Sequence, residues 1–167
     1  MQTMSITETI ISEAKAHTER NCAQFLHTFS FVPDDKLSWS PSATSKSALQ
    51  IAAHLAVSNF GISSVIRGEG SGDMPMEELM KHMAEQEAAL TTREAVIAAI
   101  NESTKVVIAS LDSINDSNID AMLASPFGEF PAKFWMFLPG NHMMGHAYQV
   151  DYIQTIYGDV DFHFVSM

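Results

Sequence analysis

The stretch Asn141-His142-Met143-Met144-Gly145-His146-Ala147-Tyr148-Gln149 sets two histidines four residues apart in the last strongly apolar part of the chain. On a helix this spacing turns the second imidazole by only about 40° from the first and lifts it one turn, so both rings reach toward one point beside the helix. Such a pair can grip a metal ion. A third donor is available in Ser47-Ala48-Leu49-Gln50-Ile51-Ala52-Ala53-His54-Leu55, where His54 interrupts an alanine-rich, aliphatic run and needs a partner once buried. Three neutral imidazoles leave the charge of a divalent ion uncompensated and keep a coordination position open, as catalytic sites do and closed structural sites do not. An ion held this way acidifies its ligand: bound water falls to a pKa of about 7, and a bound thiol is deprotonated. Hydrolysis of an ester-like bond and activation of a small thiol are both within reach. Nitrogen donors suit zinc, nickel, copper or iron, with zinc or nickel the expected occupant.

A plainer reading of the same residues stays open. HxxxH spacings recur by chance on helices, and each imidazole could instead hydrogen-bond a carbonyl or hydroxyl inside the fold. Gln149, three residues after His146, projects to nearly the same face, where its amide either orients a ligand or makes an ordinary hydrogen bond. Tyr148 and Asp151 fall on other faces and are read as structural. Glu129 and Asp73 are acids in loops near a possible cleft, and no general base is assigned. His17, His27, His82 and His163 lack companions at ligand spacing and are expected at the surface, His163 in a tail that at most lines an opening. Cys22 belongs to a buried stripe, where a thiol behaves as a small hydrophobe with a raised pKa. The eleven methionines are scattered and read as filling for gaps in the core, without the dense array that copper binding asks for. Met74 to Met83 alone form a methionine-rich segment of the kind that adapts to partners.

Helices must position these groups. Ile11, Ala14, Thr18, Cys22, Phe25 and Phe29 recur at spacings of three and four and predict a first helix over about 7–31. Val32-Pro33-Asp34-Asp35 ends it, and Trp39-Ser40-Pro41-Ser42 continues a linker. Thr44, Ser45 and Ser47 are the possible caps of a second helix, whose stripe Ala48, Ala52, Leu55, Asn59, Ile62 and Ile66 stops at Gly68-Glu69-Gly70. Residues 71–90 read as a loop and a short helix. Thr91-Thr92-Arg93-Glu94 has the form of a capping box ahead of a third long helix bearing Val96, Ile100, Val107, Leu111 and Ile114, ending near Asn115. Pro126-Phe127-Gly128-Glu129-Phe130-Pro131 is turn chemistry and predicts a small hairpin or an extended crossing. Pro131 can open the last long helix, which Gly158-Asp159 ends and which Pro139-Gly140 is expected to kink between Trp135 and Pro139. The expected fold is all-α: a four-helix bundle with long crossover connections, an architecture that builds metal sites from facing helices.

Composition narrows the function classes. The 167 residues suit one domain spanning 1–167, and 46% hydrophobic with 17% charged residues predicts a packed chain rather than a disordered one. A net charge of −11, with nine Lys and Arg and no basic cluster, disfavours nucleic acid as a partner. One cysteine cannot make an intrachain disulfide, so a reducing, cytoplasmic location is expected. The N-terminus lacks the pattern of a secretory signal, and no run is read as reaching the roughly 18 apolar residues of a membrane span.

Three pieces together carry a resemblance: Leu37-Ser38-Trp39-Ser40-Pro41 ahead of Ala53-His54-Leu55, the segment Ser125-Pro126-Phe127-Gly128, and His142 to Gln149. In order and separation they are similar to the DinB/YfiT-like superfamily of four-helix metalloproteins, over nearly the whole chain. The resemblance implies metal ligands at His54, His142 and His146, a homodimer, and a small-molecule substrate. The activities it implies are thiol S-transfer with a low-molecular-weight thiol, thiol-dependent isomerisation and metal-dependent hydrolysis. A non-catalytic module binding a small ligand or partner in a stress response is the rival of another class. Many relatives carry further His or Arg where Met143, Met144, Ala147 and Tyr148 stand here, so side chains around the metal and substrate differ.

Overall fold

The computed structural model describes residues 4–70 and 74–165. Five helices and one hairpin follow in order: α1 (Ile6–Ser30), α2 (Ala48–Ile66), α3 (Met76–Ala89), α4 (Arg93–Ser110), β1 (Met122–Ser125), β2 (Gly128–Pro131) and α5 (Ala132–Ile156). The stripes predicted for the long helices are largely their buried faces: Ala14, Thr18, Cys22, Phe25 and Phe29 on α1, with Ile11 half-buried; Ala48, Ala52, Leu55, Asn59, Ile62 and Ile66 on α2; and Val96, Ile100 and Val107 on α4, with buried Leu111 and Ile114 just past its end at Ser110.

Local chemistry explains the boundaries. Of the three possible caps of α2, Ser47 does the work: its hydroxyl accepts from the Gln50 N–H while the Gln50 side chain accepts from the Ser47 N–H. Beyond Ile66, Gly68 takes φ +74°, a conformation glycine enters without a Cβ clash, and Gly68 and Glu69 N–H donate back to the carbonyls of Val65 and Ser64. The box expected from Thr91 to Glu94 does not form. The cap of α4 is Thr92, whose hydroxyl accepts from the Ala95 N–H, and this later start puts alanine where the reciprocal acid would have to stand. Pro131 caps α5 from one residue before the helix, and α5 runs on through Pro139 and Gly140 as unbroken helix. Both residues are buried, and a Cβ on Gly140 would collide with the His17 ring and stand 3.1 Å from the His17 carbonyl oxygen, so glycine is what lets α1 and α5 approach there.

Contacts between helices give their directions. His17 meets Asn141 and Thr28 meets Gln154, so α1 and α5 run parallel; Asn59 bonds Ser103 and Ile66 bonds Ser113, so α2 and α4 do too. One core joins the C-terminal halves of α1 and α5 to the N-terminal halves of α2 and α4, and a second joins the opposite halves, which makes the two pairs antiparallel. α5 packs on both α1 and α2, and α2 packs on α4. A parallel α2 and α4 require the chain to return the length of the bundle between them. α3 occupies that return and lies against α2 as a fifth helix without a buried residue. The hairpin, with Met122 opposite Pro131 and Ser125 opposite Gly128, carries the chain from α4 to α5.

One expectation about apolar length is corrected. α2 is long and apolar enough to cross a membrane, yet most of it is buried at the centre of the bundle, where its apolar residues meet α4 and α5.

Candidate metal centre

His54 comes from the middle of α2, and His142 and His146 from successive turns of α5 where α5 crosses α2. Each offers one ring nitrogen, and these three atoms all lie within 4.8 Å of one another. Ring centroids are 5.2 Å apart from His54 to either partner and 4.5 Å between His142 and His146, whose Nε2 atoms approach to 2.9 Å. All three side chains are partly buried. Among the described residues, no carboxylate belongs to the cluster itself.

Neighbours hold two of the rings. The Gln149 amide oxygen lies 2.6 Å from His146 Nδ1, and because a carbonyl only accepts, Nδ1 carries the hydrogen and the Nε2 lone pair faces the cluster. Glu87 of α3 does the same for His54, its Oε1 accepting from Nδ1 at 2.8 Å while its other oxygen pairs with Lys46 Nζ at 2.7 Å. Burial alone would raise the Glu87 carboxyl, but the bonds from Lys46 and His54 outweigh it and hold the group below the usual glutamate range. His142 Nδ1 is buried without a hydrogen-bond partner. Burial, reinforced by His146 and His54, pushes His142 down to about 3, and burial likewise lowers His146. Both are therefore neutral at physiological pH, with lone pairs available. The donor set is of the kind that holds a divalent ion: three neutral imidazoles would leave its charge uncompensated and favour an anionic further ligand.

The cluster closes one end of a cavity of about 650 Å³ between α2, α3, the hairpin and α5. His54 and His142 line it directly, with Ser58, one turn after His54, beside them.

Glu87 and Lys46 escape sequence reasoning, although one signal points to Glu87. Leu79, Met83 and Glu87 are the α3 positions turned partly away from solvent, as is Leu90 just past its end, so a carboxylate occupies an otherwise apolar stripe. The remaining histidines depart from their expected surface placement in three cases. His163 is 2% exposed, with Nδ1 3.2 Å from Asp151 and Nε2 3.3 Å from Asp159, and its ring stacks on Phe31. His17 and His27 are half-buried, His17 bonding Asn141 across the α1 and α5 contact. His82 is exposed on the cavity wall. Asp151 has the structural role expected of it, Glu129 is exposed on β2 away from the cavity lining, and Asp73 lies outside the described residues. Cys22 is buried beneath Thr104, and burial raises its thiol. Met136 and Met143 fill the core as expected, whereas Met74, Met80 and Met83 line the cavity.

A family model described as the DinB superfamily matches residues 17–150. The crystal structure of a DinB-like protein (YjoA) from Bacillus subtilis is similar with a TM-score of 0.65 and 14% identity, covering 92% of this chain and 99% of that one, a likeness of fold. No curated protein matches.

Proposed function

The chain belongs to the DinB superfamily, and from that premise we propose that His54, His142 and His146 hold a divalent ion, zinc or nickel, beside which a low-molecular-weight thiol attacks a small electrophile. The observation that carries the reading is the meeting of three ring nitrogens from two helices within 4.8 Å, at the end of a cavity sized for a small molecule. Bound there, the ion supplies Lewis acidity that lowers the pKa of a thiol or water. The chain's own residues do the rest. Gln149 and Glu87 turn the His146 and His54 lone pairs toward the cluster, and burial keeps His142 and His146 unprotonated. His54 and His142 line the cavity, so an electrophile bound in it would lie beside them. The thiol gives its proton to solvent, a sulfur lone pair forms the S–C bond, and the leaving group departs with the electrons of the bond that breaks. The thiol itself enters from the family resemblance.

Metal analysis of untagged protein beside His54→Ala and His142→Ala tests the site, with one ion per chain expected in the parent and none in the variants. Turnover of a chloronitroaromatic electrophile with bacillithiol, mycothiol or glutathione tests the reaction. Turnover indifferent to every thiol while metal is retained rejects the transferase and leaves hydrolysis, and a parent chain that binds no metal rejects both.

A further inference from the structure

The chain carries 20 Asp and Glu and nine Lys and Arg, yet among the described residues no Asp, Glu, Lys or Arg lines the cavity beside the histidines. Its walls are Val57 and Val65 of α2, Met80 and Met83 of α3, Phe127 of the hairpin and Leu138 of α5. Polar lining groups include Ser58, Gln86, His54 and His142, with His82 exposed on the wall. Met80 is 50% exposed and Phe127 65% exposed, so apolar side chains also face solvent at the cavity's edge. Apolar surface of this kind marks a place where something binds.

An ionised group carried into such a cavity loses hydration and finds no Asp, Glu, Lys or Arg among the described lining residues to compensate it, at a cost that an uncharged body escapes. The size lies within the range that encloses small-molecule ligands, and the histidines at one end supply the polar terminus that fixes orientation. From this we infer that the molecule accepted here has an uncharged, mostly apolar body, aromatic or aliphatic, with a single polar reactive end directed at His54 and His142. The assignment of a reactive end rests on the function proposed above, but the binding preference does not.

The test uses two probes on one ring skeleton: N-phenyl-1-naphthylamine, which is uncharged, and 8-anilinonaphthalene-1-sulfonate. Fluorescence titrations of metal-stripped full-length protein are made at about 0.5 M salt, where the Debye length is only a few ångström and the net charge is screened. One uncharged probe per chain is expected, bound about tenfold or more tighter than the sulfonate, and weakened by about tenfold or more in Met83→Glu. Phe127→Glu, at an exposed turn that folding tolerates, should weaken it in the same direction, while Met83→Leu should keep it. Equal binding of the two probes, or indifference to both glutamate substitutions, overturns the inference. So does a dimer, seen by light scattering, that shuts the probe out. The His54→Ala variant separates the two claims: loss of metal with retained probe supports both, whereas metal bound by a chain that ignores the uncharged probe sinks only this one.

Discussion

Among the described residues, Glu87→Ala removes the one carboxylate that hydrogen-bonds a member of the histidine cluster. In the parent, Glu87 Oε1 accepts from His54 Nδ1 at 2.8 Å and so commits Nε2 to the shared point. Losing the group that orients a metal-bound histidine costs about 10–100-fold in metal affinity, or about 1.4–2.7 kcal/mol. Here the Ser58 hydroxyl, 3.5 Å from the same nitrogen, offers a weak substitute, which places the expected loss near the lower end, about tenfold. Glu87→Gln keeps an acceptor oxygen and should weaken binding less. Lys46→Ala distinguishes orientation from bulk charge: it removes a cation paired to the same carboxylate without touching His54. Were charge alone at work, it would strengthen metal binding by as much as Glu87→Ala weakens it; if orientation governs, it leaves the affinity nearly unchanged. Zinc competition against a chromophoric chelator measures all four proteins. Parent-like affinity in a folded Glu87→Ala protein refutes the reasoning, and equal losses in Ala and Gln variants would assign the effect to charge.

His142, held down to about 3 against an ordinary 6.5, makes the metal-free protein acid-sensitive. Between those values the unfolded chain takes up a proton that the folded chain refuses, so stability is full above about pH 6.5 and falls by about 1.4 kcal/mol per unit on acidification. Urea melts of chelator-treated His142→Leu should lack that part of the slope, and parallel slopes would show the effect is absent. Gly140→Ala should destabilise by about 1–3 kcal/mol in chemical denaturation, because the new methyl meets the His17 ring and carbonyl and outweighs the gain in helix propensity of about 1 kcal/mol. A neutral result would mean that α1 can yield. His163→Ala, which strips the contacts to Asp151, Asp159 and Phe31, should cost about 1–3 kcal/mol while leaving zinc affinity unchanged; a matching loss of zinc affinity would tie the tail to the site.

Where one helix and its own periodicity decide a feature, the sequence was enough to read it. His142 and His146 converge because they share a helix at the right spacing, and His54 stood out because α2 is otherwise small and aliphatic. The alternation of apolar positions on α1, α2 and α4 likewise became their buried faces. What escaped depends on contacts between distant segments. Glu87 reaches His54 only because α3 lies on α2, 33 positions away in sequence. His163 is enclosed because the residues after α5 fold back, its carbonyl accepting from Thr28 and Gln24 of α1. Pro139 lies inside α5, which remains helical through it and packs on α1 and α2.

Because α3 has no fully buried residue of its own, Glu87 is one of the few points, with Leu79 and Met83, at which it turns toward the bundle. A cation seated among the histidines would act as a rivet from the innermost helix pair to the outermost layer through His54 and Glu87. The wall nearest solvent would then be the first to register whether the rivet is in place. The same helix that lines the cavity through Met80 and Met83 thus carries the carboxylate that bonds His54.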